Sequence, residues 1–259
     1  MKNLSYMKNP FIKNVHLLFS SLFILSLHIP FVFAKSNYVL TESKLGNTVA
    51  SVTAFTANEA LASTVAIYDS LHLDNFGLSE EAFQYAVKGY DYLKRNGRIN
   101  NEKVISIVDF TKPSTEKRLF VIDMERCKVL FNTYVAHGQG SGKEFANRFS
   151  NVPESFQSSL GFYVTTGTYN GKHGYSLHLE GLEKGINDKA DERAIVIHGA
   201  PYVSESYIRS QGCLGRSWGC PAVPEKLCTP IIEKIKDGSC LFIYGKNKQY
   251  LRNSRILNS

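Results

Sequence analysis

The only tryptophan of the chain stands two residues before a cysteine, in the stretch GRSWGCPAV from Gly215 to Val223. A cysteine that serves only for packing usually lies in an apolar run, whereas Cys220 lies between a glycine and a proline. Pro221 keeps Cys220 out of the helical region, and Gly219 lets the backbone turn tightly. The pattern predicts a turn at the surface that holds a thiol in a fixed direction.

A histidine precedes Cys220 by 22 positions, at the end of the strand-like run AIVIHG. The segment between the two residues is rich in glycine and polar residues, which predicts a loop that brings His198 and Cys220 within hydrogen-bond reach. Beside an imidazolium the pKa of a thiol falls, so we expect a thiolate and an imidazolium at neutral pH. Cys220 would attack a carbonyl carbon, and His198 would protonate the leaving amine. Amides in the Ser217–Cys220 turn, that of Gly219 included, would bind the oxyanion.

Each of these residues also has a purely structural interpretation. A lone histidine at a strand end is usually structural, and a lone cysteine in an exported protein is usually in a disulfide. Five cysteines leave at least one unpaired, and the pairing of the others stays open. A disulfide between Cys213 and Cys220, other pairings, and five free thiols are all compatible with the sequence. The remaining cysteines are Cys127, Cys228 and Cys240.

The combination of motifs resembles the active-site signature of the YkuD-like L,D-transpeptidases, in which His-Gly precedes Ser-x-Gly-Cys. Longer stretches, among them AHGQGSG, GKHGYSLHLEGLEKGIND, RAIVIHGAPYVSE and LGRSWGCPAV, are similar to the murein L,D-transpeptidase catalytic domain branch. The resemblance implies that Cys220 is the nucleophile and His198 the acid and base. It implies that Gly199 orients the imidazole through its backbone carbonyl. It also implies an α+β, mainly β fold, an L,D-transpeptidase-like β-sandwich or barrel preceded by a small helical segment.

The function implied by this resemblance is that of an exported cysteine acyltransferase that acts on peptidoglycan stem peptides and needs no cofactor. Cys220 would attack an L-centre–D-centre peptide bond, and the thioacyl-enzyme would pass the acyl group to an amine. With water as the acceptor, the same site would be an L,D-carboxypeptidase. A metal-dependent peptidoglycan hydrolase and a non-catalytic wall-binding module are alternatives from other functional classes.

The chain departs from the commoner pattern of this family at two positions. Trp218 stands where most members have a histidine, and Ala222 stands where most have an arginine or asparagine. The missing side chain puts the substrate and the outcome of the reaction in doubt, but not the nucleophile. We expect Trp218 to contact substrate and Arg216 to supply a replacement cation.

Further histidines lie in the stretch GKHGYSLHLE. We expect His178 and Tyr175 to bind substrate, although on an alternating strand Tyr175 faces the side opposite His178. A surface position is the alternative for His178. A zinc site formed by His137, His178 and His198 underlies the metal-dependent alternative, but their spacing matches no strong metal motif. We therefore expect no metal.

A helix and a series of strands must position these residues. Ser79 is the expected N-cap of a helix whose apolar residues recur at helical spacing as far as Leu93, with Gly97 as the stop. After Asn101 the pattern is that of strands, in KVISIVDF, RLFVIDM, KVLFNTYVAHG, LGFYVTTGTY, YSLHLEGL, RAIVIHGA and SCLFIYG. A helix interrupted at Thr229-Pro230 is expected between the last two of these strands.

The start of the chain has the features of a signal peptide. Three lysines precede an apolar stretch from Val15 to Phe33, and Val32-Phe33-Ala34 suits a signal peptidase. We predict a signal peptide over 1–34, a linker and N-terminal helical segment over 35–100, and a catalytic domain over 101–250. An uncleaved membrane anchor of borderline length is the alternative. Export would place the protein in the periplasm or cell envelope.

Charge gives no sign of a nucleic-acid partner. Loss of the three lysines of the signal peptide would lower the formal net charge from +7 to +4, which is mildly basic. No basic cluster with interleaved aromatic residues is present. The expected partners are peptidoglycan stem peptides, with a membrane contact only through an uncleaved signal peptide.

Overall fold

The computed structural model describes residues 61–259. The predicted signal peptide over 1–34 and the first part of the linker lie outside the described residues. Residues 61–70 are helical. None of the helices within 61–259 is long and apolar enough to cross a membrane.

Helix α1 spans Glu80–Arg95, as the spacing of its apolar residues predicts. The Ser79 hydroxyl accepts a hydrogen bond from the amide of Ala82 (3.3 Å), which confirms the predicted N-cap. The buried face of α1 packs on the sheet, and at Gly89 the helix backbone lies close to the ring of Phe162. A Cβ on Gly89 would lie 1.9 Å from Cζ of Phe162, so any larger residue would push α1 away from the sheet.

Eight strands form one mixed sheet in the order β3-β2-β1-β8-β4-β5-β6-β7. Most neighbours are antiparallel, but β1 and β8 are parallel, as are β6 and β7. The strands are β1 (Val104–Asp109), β2 (Leu119–Asp123), β3 (Lys128–Thr133), β4 (Gly161–Gly171), β5 (Gly174–Gly181), β6 (Val196–Ala200), β7 (Ala222–Pro224) and β8 (Cys240–Tyr244).

The sheet nearly closes on itself through the chain that follows β3. Ala136 forms an antiparallel bridge with Ala222, and Gly138 forms a parallel bridge with Ser217. A short 3₁₀ helix follows at Gln139–Ser141. The α+β, mainly β fold class is therefore confirmed, and the near closure brings the Ser217–Cys220 turn against the loop after β3.

Three helices differ from the prediction. Helix α2 (Glu205–Gln211) lies in the segment between His198 and Cys220, which we expected to be a loop; Ser204 caps it and Gly212 ends it with φ +78°. Helix α3 (Glu225–Ile235) runs through Pro230 without interruption. Proline within a helix costs about 3 kcal/mol, which burial of the apolar face of α3 offsets. Helix α4 (Lys248–Asn253) was not predicted.

Candidate active site

The turn before Cys220 is fixed by Ser217. Its hydroxyl donates to the carbonyl oxygen of Cys220 (2.6 Å) and accepts from the amide of Gly219 (3.1 Å). The turn role expected for Ser217 is therefore seen. The Gly219 N–H already donates to the Ser217 hydroxyl, and its expected contact with an oxyanion stays a prediction. The amide of Cys220 lies beside its own sulfur and is the remaining candidate donor.

Only glycine fits at position 219. Its φ is +129°, in a region that side chains rarely adopt. A Cβ there would lie 2.9 Å from the carbonyl oxygen of Gln157 and 3.1 Å from Nη2 of Arg193. The loop over 150–158 thus packs directly against the backbone of the turn, and Ser158 joins it by donating to the Gly219 carbonyl (3.1 Å).

The Cys220 thiol is half-buried and contacts the start of β6. Its sulfur lies 3.7 Å from the carbonyl oxygen of Ala194. Burial raises the pKa of the thiol, while the amide of Val196 and the guanidinium of Arg193 oppose that rise. At neutral pH the resting thiol therefore keeps its proton and donates it to Ala194.

The imidazole of His198 is held by the next residue along β6. Nδ1 lies 2.9 Å from the carbonyl oxygen of Gly199, so Nδ1 bears the proton and Nε2 keeps a free lone pair. This is the orienting role that the family resemblance implied for Gly199. Burial lowers the pKa of His198; the bond to Gly199 opposes the shift, and His173 adds to it. The His173 ring stacks over His198 at 4.5 Å and covers it.

The pairing of β6 with β7 brings the Cys220 turn toward His198. Ala222 of β7 pairs with His198 of β6, and Cys220 lies two residues before Ala222, in the turn that precedes β7. The thiol bonds to Ala194 rather than to the imidazole. Since the thiol pKa is raised and the imidazole pKa lowered, both groups are neutral at rest. Burial thus favours the neutral form of each group in this structure, and the expected thiolate–imidazolium pair stays a prediction.

His178 and Tyr175 lie on opposite faces of β5. His178 pairs with Val196, and Ser176 pairs with His198, so His178 shares the face of His198. Its ring stacks on Tyr169 at 4.6 Å. Tyr175 points to the other face, where its hydroxyl donates to Glu233 of α3 (2.6 Å). Tyr175 thus contributes to the packing of α3, and its expected contact with substrate stays a prediction.

Trp218 and Arg216 lie at the surface beside the turn. Trp218 is 72% exposed, and its ring lies 5.6 Å from that of Phe156, which is also exposed. Phe156 has φ +53°, an unusual conformation for an aromatic residue. Arg216 is exposed and donates to the carbonyl of Gly142 (3.2 Å). Trp218 and Phe156 together present an aromatic surface next to the thiol.

Ala222 occupies a buried position where a long side chain has no room. It is fully buried in a small cluster with Ala136 and Ala200, and its carbonyl accepts from the Ala136 amide (2.8 Å). The arginine or asparagine that is common in the family at this position would disrupt this packing. The bridge that nearly closes the sheet thus explains why alanine stands here.

His137 does not belong to the site. Its Nδ1 accepts from the buried Arg118 (2.8 Å), and its Nε2 donates to Gly142 (3.2 Å). Burial and the Arg118 charge lower the pKa of His137 to about 3. Within residues 61–259, no group of three or more His, Cys, Asp or Glu side chains is arranged to bind a metal ion. The proposed trio of His137, His178 and His198 therefore forms no metal centre.

The five cysteines are free thiols. Cys213 is buried and is not joined to Cys220, and Cys127 is the most exposed of the five. Cys220 is partly exposed and lies two residues before Ala222, which pairs with His198.

Three residues near the site were not identified from the sequence. His173 covers His198, Ala194 accepts from the thiol, and Arg193 lies beside Gly219. His173 lies five residues before His178 in the stretch GKHGYSLHLE. Nothing in the local pattern marks Arg193 or Ala194, because their proximity to Cys220 arises from the pairing of β6 with β7.

Residues 74–244 match the model of the L,D-transpeptidase catalytic domain. The chain belongs to the L,D-transpeptidase catalytic domain family. This confirms the resemblance seen in the motifs, and the matched range includes α1 and all eight strands. No curated protein sequence matches the chain.

Solved structures of L,D-transpeptidases resemble the chain at low identity. An L,D-transpeptidase from Mycobacterium smegmatis is 12% identical, with a TM-score of 0.34; the match covers 55% of this chain and 59% of that one. An L,D-transpeptidase from Stackebrandtia nassauensis is 14% identical, with a TM-score of 0.34 and coverage of 64% and 68%. The helical cell shape determining protein Pgp2 from Campylobacter jejuni is 17% identical, with a TM-score of 0.39 and coverage of 63% and 57%.

Proposed function

We propose that the protein is an exported cysteine acyltransferase that modifies peptidoglycan stem peptides by L,D-transpeptidation. The observation that supports this most directly is the pairing of Ala222, two residues after Cys220, with His198, whose Nε2 lone pair is left free by the Gly199 carbonyl. A half-exposed thiol beside a base of fixed tautomer is the pair that thioacyl chemistry needs. Membership of the L,D-transpeptidase family supports the peptide bond as its target.

In the proposed reaction, Nε2 of His198 takes the thiol proton as the sulfur bonds to the carbonyl carbon of an L-centre–D-centre peptide bond. The oxyanion is stabilised by the amide of Cys220, which lies beside the sulfur. The imidazolium gives its proton to the leaving amine as the C–N bond breaks, and a thioester remains. An acceptor amine then attacks the thioester carbonyl carbon and loses a proton to His198. The C–S bond breaks, and the imidazolium returns that proton to the sulfur, which restores the thiol.

The proposed substrate surface lies around this pair. His178 shares the face of His198, and Trp218 of the turn packs against Phe156. Arg216 is exposed and free to pair with a carboxylate of the stem peptide. Two cavities of about 670 and 660 Å³ are lined by other residues, so the substrate is proposed to lie across the surface of the turn.

L,D-carboxypeptidase activity is the second candidate, and one observation favours it. Trp218 is 72% exposed and Cys220 is half-buried, so water has access to a thioester formed there. Transfer exceeds hydrolysis only where the site binds the amine well or excludes water.

The test supplies the mature chain, residues 35–259, with a tetrapeptide donor and an excess of a D-amino acid. Mass spectrometry quantifies the exchange product and the trimmed tripeptide. Exchange product in excess supports transfer, and tripeptide alone at every amine concentration assigns a carboxypeptidase. Cys220→Ser should remove both products, while Cys127→Ser, the same change at another accessible thiol, should remove neither. Binding without any product would instead identify a wall-binding module.

A further inference from the structure

Arg193 lies immediately behind the turn that presents the thiol. Its Nη2 is 3.1 Å from the point where a Cβ of Gly219 would stand. The next residue, Ala194, has φ +51° and turns its carbonyl oxygen toward the sulfur of Cys220. A non-glycine residue in this conformation is uncommon and marks a backbone held in place by its surroundings.

The guanidinium is fixed by acceptors from the loop over 150–159. Nη1 donates to the carbonyl of Ser150 (2.9 Å) and the hydroxyl of Ser159 (2.6 Å), and Nη2 donates to the carbonyl of Gln157 (2.5 Å). The planar fork of arginine suits such a set of acceptors, which a lysine ammonium could not bind together. Arg193 thereby holds this loop against Gly219.

The charge of Arg193 is not neutralised by a carboxylate. None of the ion pairs among the described residues includes Arg193, and its bonds go to neutral oxygens. The groups with which its charge interacts are Cys220 and the buried phenol of Tyr163. A half-buried cation without a counter-ion, next to a nucleophilic thiol, favours the thiolate over the thiol.

We propose that Arg193 is the positioning residue of the nucleophile: it holds the loop over 150–159 against the Cys220 turn, and its charge stabilises the Cys220 thiolate. The inference deepens the proposed function, because it concerns the same thiol. In this inference the Arg193 guanidinium stabilises the thiolate, and His198 accepts the proton. The other titratable groups near the sulfur are His198, which is neutral at rest, and Tyr202, whose pKa burial raises to about 12.

The test is the pH profile of Cys220 alkylation by iodoacetamide, followed by peptide mass spectrometry. It is performed on the mature chain with Cys127→Ser, since Cys127 is the other accessible thiol. Arg193→Met removes the charge, Arg193→Lys keeps the charge but loses the fork, and Ser159→Ala loses one clamp bond and keeps the charge. Circular dichroism shows whether each variant is folded.

Arg193→Met should move the midpoint of alkylation up by about one pH unit, which is about a tenfold slower reaction at neutral pH. The Lys and Ala variants should keep a midpoint close to that of the parent. An unshifted midpoint in folded Arg193→Met overturns the proposal. If Arg193→Met does not fold, a full-unit rise in Arg193→Lys overturns it instead, because the charge is still present there.

This measurement is independent of turnover. A protein that is alkylated as expected but does not act on stem peptides would refute the proposed function and leave the role of Arg193 intact. A protein that turns over stem peptides, but shows no midpoint shift in folded Arg193→Met, would support the proposed function and refute the role of Arg193.

Discussion

Replacing Gly219 by alanine should displace the thiol without removing any catalytic group. The new Cβ would lie 2.9 Å from the Gln157 carbonyl oxygen and 3.0 Å from Cδ1 of Ile195, and the backbone has φ +129°. Strain of this kind costs about 1–3 kcal/mol, and the turn can relieve it only by moving. A displacement of about 1 Å at a reacting group lowers the rate by about a hundredfold. We therefore expect Gly219→Ala to be folded, less stable, and about a hundredfold slower in thioester formation.

Gly212→Ala provides a matched control. Gly212 also has positive φ (+78°), but a Cβ there would meet nothing within 4 Å. Gly212→Ala should therefore lower the free energy of unfolding by about 1–2 kcal/mol through backbone strain alone, without displacing Cys220. Thermal unfolding gives the stability of each variant, and the rate of acylation by a stem tetrapeptide gives its activity. Equal acylation rates in the two variants would refute the argument that packing against Gln157 positions the thiol.

Three further predictions follow from the site and the core. A carbapenem should acylate the parent once, at Cys220, and the Cys220→Ser variant not at all; intact mass and peptide mapping check this, and an adduct at Cys213 would mean that the nucleophile is wrongly assigned. His173→Gln should raise the pKa of His198, because it exposes the covered ring and removes a neighbouring imidazole. The acid limb of kcat/KM, which requires neutral His198, should move to higher pH, and an unchanged limb would contradict this role of His173. Gly89→Ala should destabilise the fold by about 1–3 kcal/mol through overpacking against the sheet, with acylation unchanged in the folded fraction; an unchanged midpoint of thermal unfolding would argue against this contact.

Most of the fold follows from local patterns. Helix α1 was predictable because the Ser79 cap and the apolar spacing agree, and the strands were predictable because apolar runs end at turn residues. Helix α2 was missed because it is short and none of its residues is buried, which leaves no apolar stripe in the sequence. The two-helix prediction around Pro230 failed because burial of α3 outweighs the local preference of proline.

The site was predictable only where a motif lies within a few neighbouring residues. His198 with Gly199, and Ser217 with Cys220, are such pairs, and their local hydrogen bonds agree with the motif. Arg193 could not be identified in this way, because the register of β6 and β7 brings it to the turn. Tyr175 lies on the face opposite His178, as strand alternation predicts, and its expected contact with substrate stays a prediction.

The pKa shifts at the two principal residues favour a resting site without charge separation. Burial disfavours both the thiolate and the imidazolium, and the stacked ring of His173 keeps water from His198. In the proposed mechanism, proton transfer from Cys220 coincides with substrate binding, when the developing negative charge passes from sulfur to the substrate oxygen. A fixed cation that neither gains nor loses a proton is suited to this step. It favours the anion throughout, and its own charge does not change. Arg193 occupies that place, and a neutral pair that ionises only with substrate bound also keeps the half-exposed thiol less reactive toward other electrophiles.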